Sequence, residues 1–404
     1  MTTAPQPDHF PQGKWSDARN PNGFAEPANP LGVYIHWPYC ARICPYCDFN
    51  VFKARPGAEP QALARAIVAD LEAQAALTGP RTLTSIFLGG GTPSLMDPAW
   101  AAAIIAAARR LWTPAADLEV TLEANPTDAE AGAFQAFAQA GVNRLSLGLQ
   151  SLDDRALAFL GRNHDARTAV RAAEAARAAF PRLSLDLIYA RPDQTPQAWA
   201  QELEAALALA PEHLSPYQLT IEAGTAFDRA VRRGQLTPPD PDTAAALFDV
   251  TQEVLTRAGF DAYEVSNHAL GKAARSRHNL IYWQGHDYVG AGPGAHGRIT
   301  LGGVRHATHA AAKPADYIAR VAETGLGFAT REPLNPREAA EERLLSGLRI
   351  GEGVALAELT PLAIPAARIA DLVELGLIAD DPMRLRATAA GRLVLDRLTA
   401  ELAI

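Results

Sequence analysis

What the chain lacks narrows its class first. Of its 404 residues only three are cysteine and four are lysine. The longest apolar run, Ala99 to Ala108, has ten residues, about half of the ~20 that a membrane-spanning helix needs, so no integral membrane segment is expected. The opening stretch, MTTAPQPDHFPQGKW, has no positive segment followed by an apolar one. That argues against a secretory leader and makes the cytoplasm the expected compartment. A net charge of -8 speaks against broad phosphate-backbone binding, though not against a local basic patch, and no nucleic-acid partner is expected. The 48% apolar and 20% charged fractions are those of an ordinary chain with a sizeable core. The length allows two domains, or one large α/β barrel with an appendage.

The three cysteines, Cys40, Cys44 and Cys47, fall within eight residues. An odd number packed this tightly cannot form a disulfide framework. The spacing suits metal ligands instead. Zinc would need a fourth donor, for which His36 is nearest, but the Pro38 turn separates it from the thiols. Cys-Pro-Tyr-Cys-Asp lacks the histidine of c-type haem attachment, and a thioredoxin-like pair would leave Cys40 unused. A four-iron cluster held by three thiolates uses all three and leaves one iron open to bind a small molecule.

Residues 1–30, rich in Pro, Asn and Gly, read as a flexible arm. From Leu31 short apolar runs alternate with helical patterns. Strands are expected at Leu31–Trp37, Ser85–Leu88, Leu118–Leu122, Arg144–Gly148, Leu183–Ile188 and His213–Leu219. Between them, Leu63, Ile67 and Leu71 form a helical stripe. Asp97-Pro98 and Thr195-Pro196 start helices. Thr127 to Glu130 reads as a capping box leading into one helix through Phe134 and Phe137 that ends at Gly141.

Six βα units are too few for a closed eight-fold barrel. The expected fold is α/β, a partial (β/α)6 TIM-type barrel over 31–230 with its site at the C-terminal strand ends. A connecting segment, 231–330, is loop-rich around 263–309 and holds six of the ten histidines. Residues 331–404 outline an α+β winged-helix-like domain with helices near 336–349 and 364–375, a hairpin at Asp380-Asp381-Pro382 and a helix from about 391. Such units often bind DNA, but nine Arg and no Lys against twelve Asp and Glu leave this one acidic.

The cysteine spacing after a first strand resembles the radical S-adenosylmethionine superfamily. The segments YIHWPYCARICPYCDFN, FLGGGTPS, LEANP, RLSLGLQS, LGRNH and LDLIYARP resemble its oxygen-independent coproporphyrinogen III oxidase branch, over about residues 31–400. The resemblance implies a [4Fe-4S] cluster on Cys40, Cys44 and Cys47. It implies S-adenosylmethionine contacts at Tyr34, Gly90, Gly91, Thr92, Glu123, Gln150, Arg162 and Asp186, with His296 of GPGAHG beside the adenine.

Two features separate the chain from the true oxidases, which carry a fourth cysteine where this chain has Phe49 and a longer N-terminal segment. Conversely, His278-Asn-Leu-Ile-Tyr282-Trp283 is similar to the HNxxYW signature of the HemW-type haem chaperones, the oxidase-like subgroup, as is the stretch from Glu341. That subgroup implies haem as cargo, an acceptor protein and an electron donor for the cluster. On that reading His278 would contact haem iron, with Tyr282 and Trp283 facing the macrocycle. The alternative for these three is a hydrogen-bonded histidine among core aromatics. The rival functions are the oxidase itself, which decarboxylates two propionates, and radical chemistry on an unrelated substrate.

Overall fold

The computed structural model describes residues 29–54 and 59–403, without the side chains of 128 and 129. The expected arm, 1–30, lies outside the described residues but for its last two. Six strands, β1 (Pro30–Trp37), β2 (Thr82–Gly90), β3 (Thr113–Ala124), β4 (Arg144–Gln150), β5 (Arg182–Tyr189) and β6 (His213–Gln218), stand side by side in chain order. Each neighbouring pair is parallel. Among the helices between them are α1 (Pro60–Thr78), α2 (Pro98–Leu111), α3 (Ala166–Ala179) and α4 (Pro196–Leu207). The expected caps form, with Asp97 accepting from the Ala99 N–H and Thr195 from the Ala198 N–H.

Successive strand side chains point to opposite faces. One face is apolar, with Val33, Ile35, Ile86, Leu88, Val120, Leu122, Leu145, Leu147, Leu183 and Leu185 all buried. It packs against a helical layer in which Leu63, Ile67 and Leu71 are fully buried. The other face lines the barrel and is polar: Tyr34, Ser85, Glu119, Thr121, Glu123, Arg144, Ser146, Ser184, Asp186, His213 and Ser215 alternate with that apolar set. A partial barrel therefore has a lumen of charged and hydroxyl groups above a continuous hydrophobic layer.

The sheet runs past the six strands. At the β6 edge come β7 (Asp261–Glu264) and β8 (Asn267–Ala269), both antiparallel. Beyond β1 lies β9 (Asp287–Ala291), a seventh parallel strand, then β10 (His296–Leu301), β11 (Val304–Ala310) and β12 (Phe328–Pro333), antiparallel. The whole is one twelve-stranded mixed sheet. The stretch expected to be loop-rich thus holds short strands, and two of its glycines serve close backbone crossings. A Cβ on Gly290 would meet the His296 carbonyl oxygen at 2.0 Å, and one on Gly292 (φ +108) the His36 carbonyl oxygen at 2.2 Å. The single helix expected after Thr127 is also broken, into Asp128–Ala131 and Phe134–Gln139. Thr127 still caps the turn, accepting from the Glu130 N–H (3.3 Å) and donating to Glu130 Oε1 (3.2 Å), while Glu130 Oε2 accepts from the Asn125 N–H (2.8 Å) and from Ser94.

Helix α5 (Arg277–Trp283) carries the HNxxYW motif and closes the lumen at the N-terminal ends of β1 to β3. Its first N–H groups, of Arg277 and His278, donate to Glu119 at 3.2 and 3.1 Å. The same carboxylate pairs with Arg182 at 2.7 Å. Burial works to raise the Glu119 pKa, but Arg144, Arg182 and the two N–H donors hold it below the usual carboxylate value.

The C-terminal unit has its own core, in which Leu344, Leu348, Val354, Leu385 and Leu398 are buried. It consists of α6 (Pro336–Gly347), the paired segments Val354–Ala355 and Arg384–Leu385, and the helices Ala366–Glu374, Ala389–Leu393 and Leu395–Leu402. The helices fall near the expected positions, and the turn at Asp380-Asp381-Pro382 joins Ile378 and Ala387 in an antiparallel bridge. The unit grips α5: Arg343 donates to the Trp283 carbonyl (3.1 Å) and the Arg349 guanidinium lies 4.5 Å over the Trp283 ring. Among the described residues no helix is long and apolar enough to cross a membrane.

Removing Glu119 takes the counter-charge from buried Arg144 and one of two carboxylate partners from Arg182, and strands two helix N–H groups. Glu119→Ala should lower unfolding free energy by roughly 3–5 kcal/mol, read as a fall in thermal midpoint. Glu119→Gln, which keeps acceptor oxygens, should lose less.

Candidate cluster and cofactor site

The C-terminal ends of β1 to β5 converge above the lumen, and the expected site residues meet there. After β1 the chain turns at Pro38 into the cysteine loop. Pairing of Tyr39–Cys40 with Phe52–Lys53 holds the base of that loop. All three cysteines are free, Cys40 buried and the other two half-buried. Burial raises the Cys40 and Cys47 thiols, Cys47 to about 11, with the charge of Cys44 adding to the first and those of Cys44 and Cys40 to the second. A bound cation would reverse that balance and favour thiolates.

The loop is tied to the strand ends. Arg162 donates to Cys44 Sγ (3.3 Å), the Tyr46 hydroxyl (3.4 Å), the Gly148 carbonyl (3.1 Å) and Asn125. Asn125 donates in turn to Thr92 Oγ1 (3.1 Å). The glycine turn passes under the loop, with the Gly91 N–H on the Trp37 carbonyl (2.7 Å) and the Thr92 N–H on the Tyr39 carbonyl (2.9 Å). Gly90 has φ +105, and a Cβ there would meet the His36 ring at 2.6 Å, so only glycine lets this backbone pass.

Two carboxylates face the same space. Glu123 accepts from the Gly90 N–H (3.1 Å), and Asp186 from Ser146 (2.9 Å). Glu123 is pushed up to about 8 by burial and by the charge of Asp186. Asp186 is also raised, by burial, against hydroxyl donors. The Tyr34 hydroxyl bonds His36 Nδ1 (2.9 Å), and His36 Nε2 bonds the Asn50 carbonyl (2.9 Å), fixing the imidazole. Gln150 takes φ +64 at the end of β4, and its Oε1 is buried without a hydrogen-bond partner. Strain and an orphaned acceptor at one strand end mark a position shaped for a ligand.

These features fit the implied groups. Three thiols on one short loop suit a cluster that takes one thiolate on each of three irons. Among the described residues no three His, Cys, Asp or Glu side chains converge on a single metal ion, and the cluster requires no such convergence. Above it, the glycine backbone, Glu123, Asp186 and the unsatisfied Gln150 oxygen offer acceptors for ammonium and hydroxyl donors.

The structure separates the HNxxYW residues from that opening. His278 is 1% exposed. Its Nδ1 bonds Ser85 Oγ at 2.8 Å and its Nε2 the Tyr282 hydroxyl at 2.7 Å. Its ring stacks on Phe87, 5.0 Å between centroids. Burial lowers its pKa to about 3, so the imidazole is neutral. Both nitrogens are engaged and no face is open. His278, expected to contact haem iron, is thus buried with both nitrogens engaged, while Tyr282 and Trp283 are half-buried, Trp283 under Arg349. His296 is exposed and stacks on its cross-strand partner His309 at 4.3 Å. Asn125 and Tyr46, which anchor Arg162, were missed. Asn125 lies two residues after Glu123, just past its strand end, a place that could have signalled it.

Comparison with known proteins agrees with this geometry. Residues 34–206 match the Radical SAM superfamily and residues 334–394 the HemN C-terminal domain. The chain is 37% identical to heme chaperone HemW of Mycobacterium tuberculosis, over 93% of this chain and 95% of that protein. It is 40% identical to the Bos taurus mitochondrial radical S-adenosyl methionine domain-containing protein 1, over 96% of this chain and 90% of that one. The structure of Escherichia coli coproporphyrinogen III oxidase HemN, a radical SAM enzyme, superposes with a TM-score of 0.76 at 20% identity, covering 93% of this chain and 90% of that one.

Ionised Glu123 is the better acceptor, so S-adenosylmethionine should bind more tightly as pH rises through about 8. Equilibrium dialysis between about pH 6.5 and 9.5 tests this. Glu123→Gln should weaken binding and flatten the carboxyl part of the profile, leaving only titration of the ligand's own amine.

Proposed function

The chain belongs to the radical SAM superfamily, in the subgroup that includes heme chaperone HemW, and from that premise we propose that it binds haem and hands it to an acceptor protein. The carrying observation is an apolar side chain, Phe49, where the oxidases hold a fourth thiol, beside strand ends that fit the cofactor. Phe49 is 60% exposed on the cysteine loop. A chain that kept the shell for oxidative decarboxylation would need a way to dispose of an electron next to the cluster, and a phenyl ring offers no donor or proton. The close likeness to proteins named heme chaperone supports the same reading.

On this proposal Cys40, Cys44 and Cys47 hold the cluster and an electron donor reduces it. When bound, the [4Fe-4S] group supplies one-electron chemistry and an open iron. Gly90, Gly91 and Thr92 bring backbone groups to the methionyl end of S-adenosylmethionine. Glu123 and Asp186 accept from its amine or hydroxyl groups, and Tyr34, Gln150 and Arg162 complete the shell. Arg162 bridges loop and strand ends, so it ties the seat of the cluster to the seat of the cofactor.

The test is anaerobic incubation of cluster-loaded protein with S-adenosylmethionine, a reductant and coproporphyrinogen III, beside a haem titration and transfer to an apo haem protein. Saturable haem binding and transfer without protoporphyrinogen are expected. Protoporphyrinogen over many turnovers would make the chain an oxidase. Cys44→Ser should lose cluster iron and the associated visible absorbance while the chain stays folded.

A further inference from the structure

The burial of His278 leaves open where a tetrapyrrole would sit. A second opening lies on the flank of the cysteine loop, between that loop, residues 158–161 and the helix Ala226–Arg232. It is a cleft of about 540 Å³, within the roughly 300–1,000 Å³ usual for small-molecule sites. Its walls include a stacked aromatic pair, Phe159 and Phe227, with centroids 4.8 Å apart and planes at 24°. Ile43, 46% exposed, stands on the facing loop. The Phe227 N–H donates to the Pro45 carbonyl at 3.0 Å and so pins helix to loop.

Two exposed guanidinium groups, Arg42 and Arg229, also line the cleft. Apolar walls with two cations suit a flat apolar molecule carrying two carboxylates. No histidine lines the cleft, and its two thiols, Cys44 and Cys47, belong to the cluster.

We infer that this cleft is a tetrapyrrole site, in which the macrocycle packs on Ile43 and the Phe159–Phe227 pair while Arg42 and Arg229 take the two propionates. The inference rests on the haem reading above and deepens it. Recognition is of the macrocycle and its carboxylates, not of the iron, because the cleft offers no free axial ligand. A cargo held without an iron ligand leaves that iron open to the acceptor's own ligand, as transfer requires. The site also sets the tetrapyrrole beside the cluster loop.

The experiment titrates anaerobic, cluster-loaded protein with haem, metal-free protoporphyrin IX and the porphyrin's dimethyl ester, followed by absorbance and fluorescence quenching. Haem and metal-free porphyrin should bind with affinities within about threefold, and the ester about tenfold or more weakly. The double variant Arg42→Glu, Arg229→Glu should weaken haem binding by about tenfold or more with the cluster spectrum unchanged, while Arg110→Glu on α2 should not. Unchanged haem affinity in the double variant overturns this site and leaves the haem reading standing. Tight haem binding without binding of metal-free porphyrin also overturns it, because iron ligation would then govern. Failure of the wild-type chain to bind any tetrapyrrole sinks the haem reading itself.

Discussion

Everything above the floor of this barrel depends on one buried carboxylate. Six parallel strands do not close, and the space they enclose is lined by polar groups that need partners away from water. Glu119 meets that need at the bottom. It neutralises Arg182, moderates Arg144 and accepts the first N–H groups of α5, so the helix that plugs the lumen is fixed by the charge that the lumen requires. Above it Ser85, His278 and Tyr282 continue a hydrogen-bonded column beneath Tyr34. A buried ion pair of this kind is weak evidence for net stability, but it specifies one arrangement and penalises others.

The lumen is electrically divided along its axis. Its lower end holds arginines, with Glu119 as their counter-charge. Its upper end holds Glu123, raised by burial and by the charge of Asp186, and Asp186, raised by burial. An upper chamber whose two carboxylates stay raised despite the pull of Arg144 favours a ligand that brings positive charge, and S-adenosylmethionine brings a sulfonium and an ammonium. Arg162 stands to one side, its two terminal nitrogens bonded to sulfur, amide and carbonyl groups of the loop and strand ends. Loop, strand ends and chamber are thus one hydrogen-bonded assembly, not three adjacent features.

Much of this was legible from residue order. The six strands were found because their outward faces are apolar runs against amphipathic helices, and the cysteine loop because few metal chemistries use three thiols at that spacing. The sheet beyond residue 260 was hidden. Its strands are short, and glycines such as Gly290 and Gly292 read as turns, when their role is to let backbones cross. His278 shows a different limit. The motif was recognised, yet a histidine on a helix does not say which way it faces. Its partners Ser85 and Glu119 lie far away in the chain, and only the packed lumen reveals that both nitrogens are spent. Asn125 escaped because its role lies in holding Arg162, a second side chain, and not in a motif of its own.

Helix α5 has one end in the barrel and the other in the C-terminal unit, with its N-terminus on Glu119 and its last residue under Arg349 and Arg343. The two units therefore share one helix as a common support. A chain cut before α6 would keep every strand of the barrel yet lose the clamp on its plug. Mutational drift at Arg343 or Arg349 would be felt inside the barrel, through the floor on which Tyr34 rests. The acidic C-terminal unit, which has the outline of a nucleic-acid reader, serves here as the keystone of a vault built from other residues.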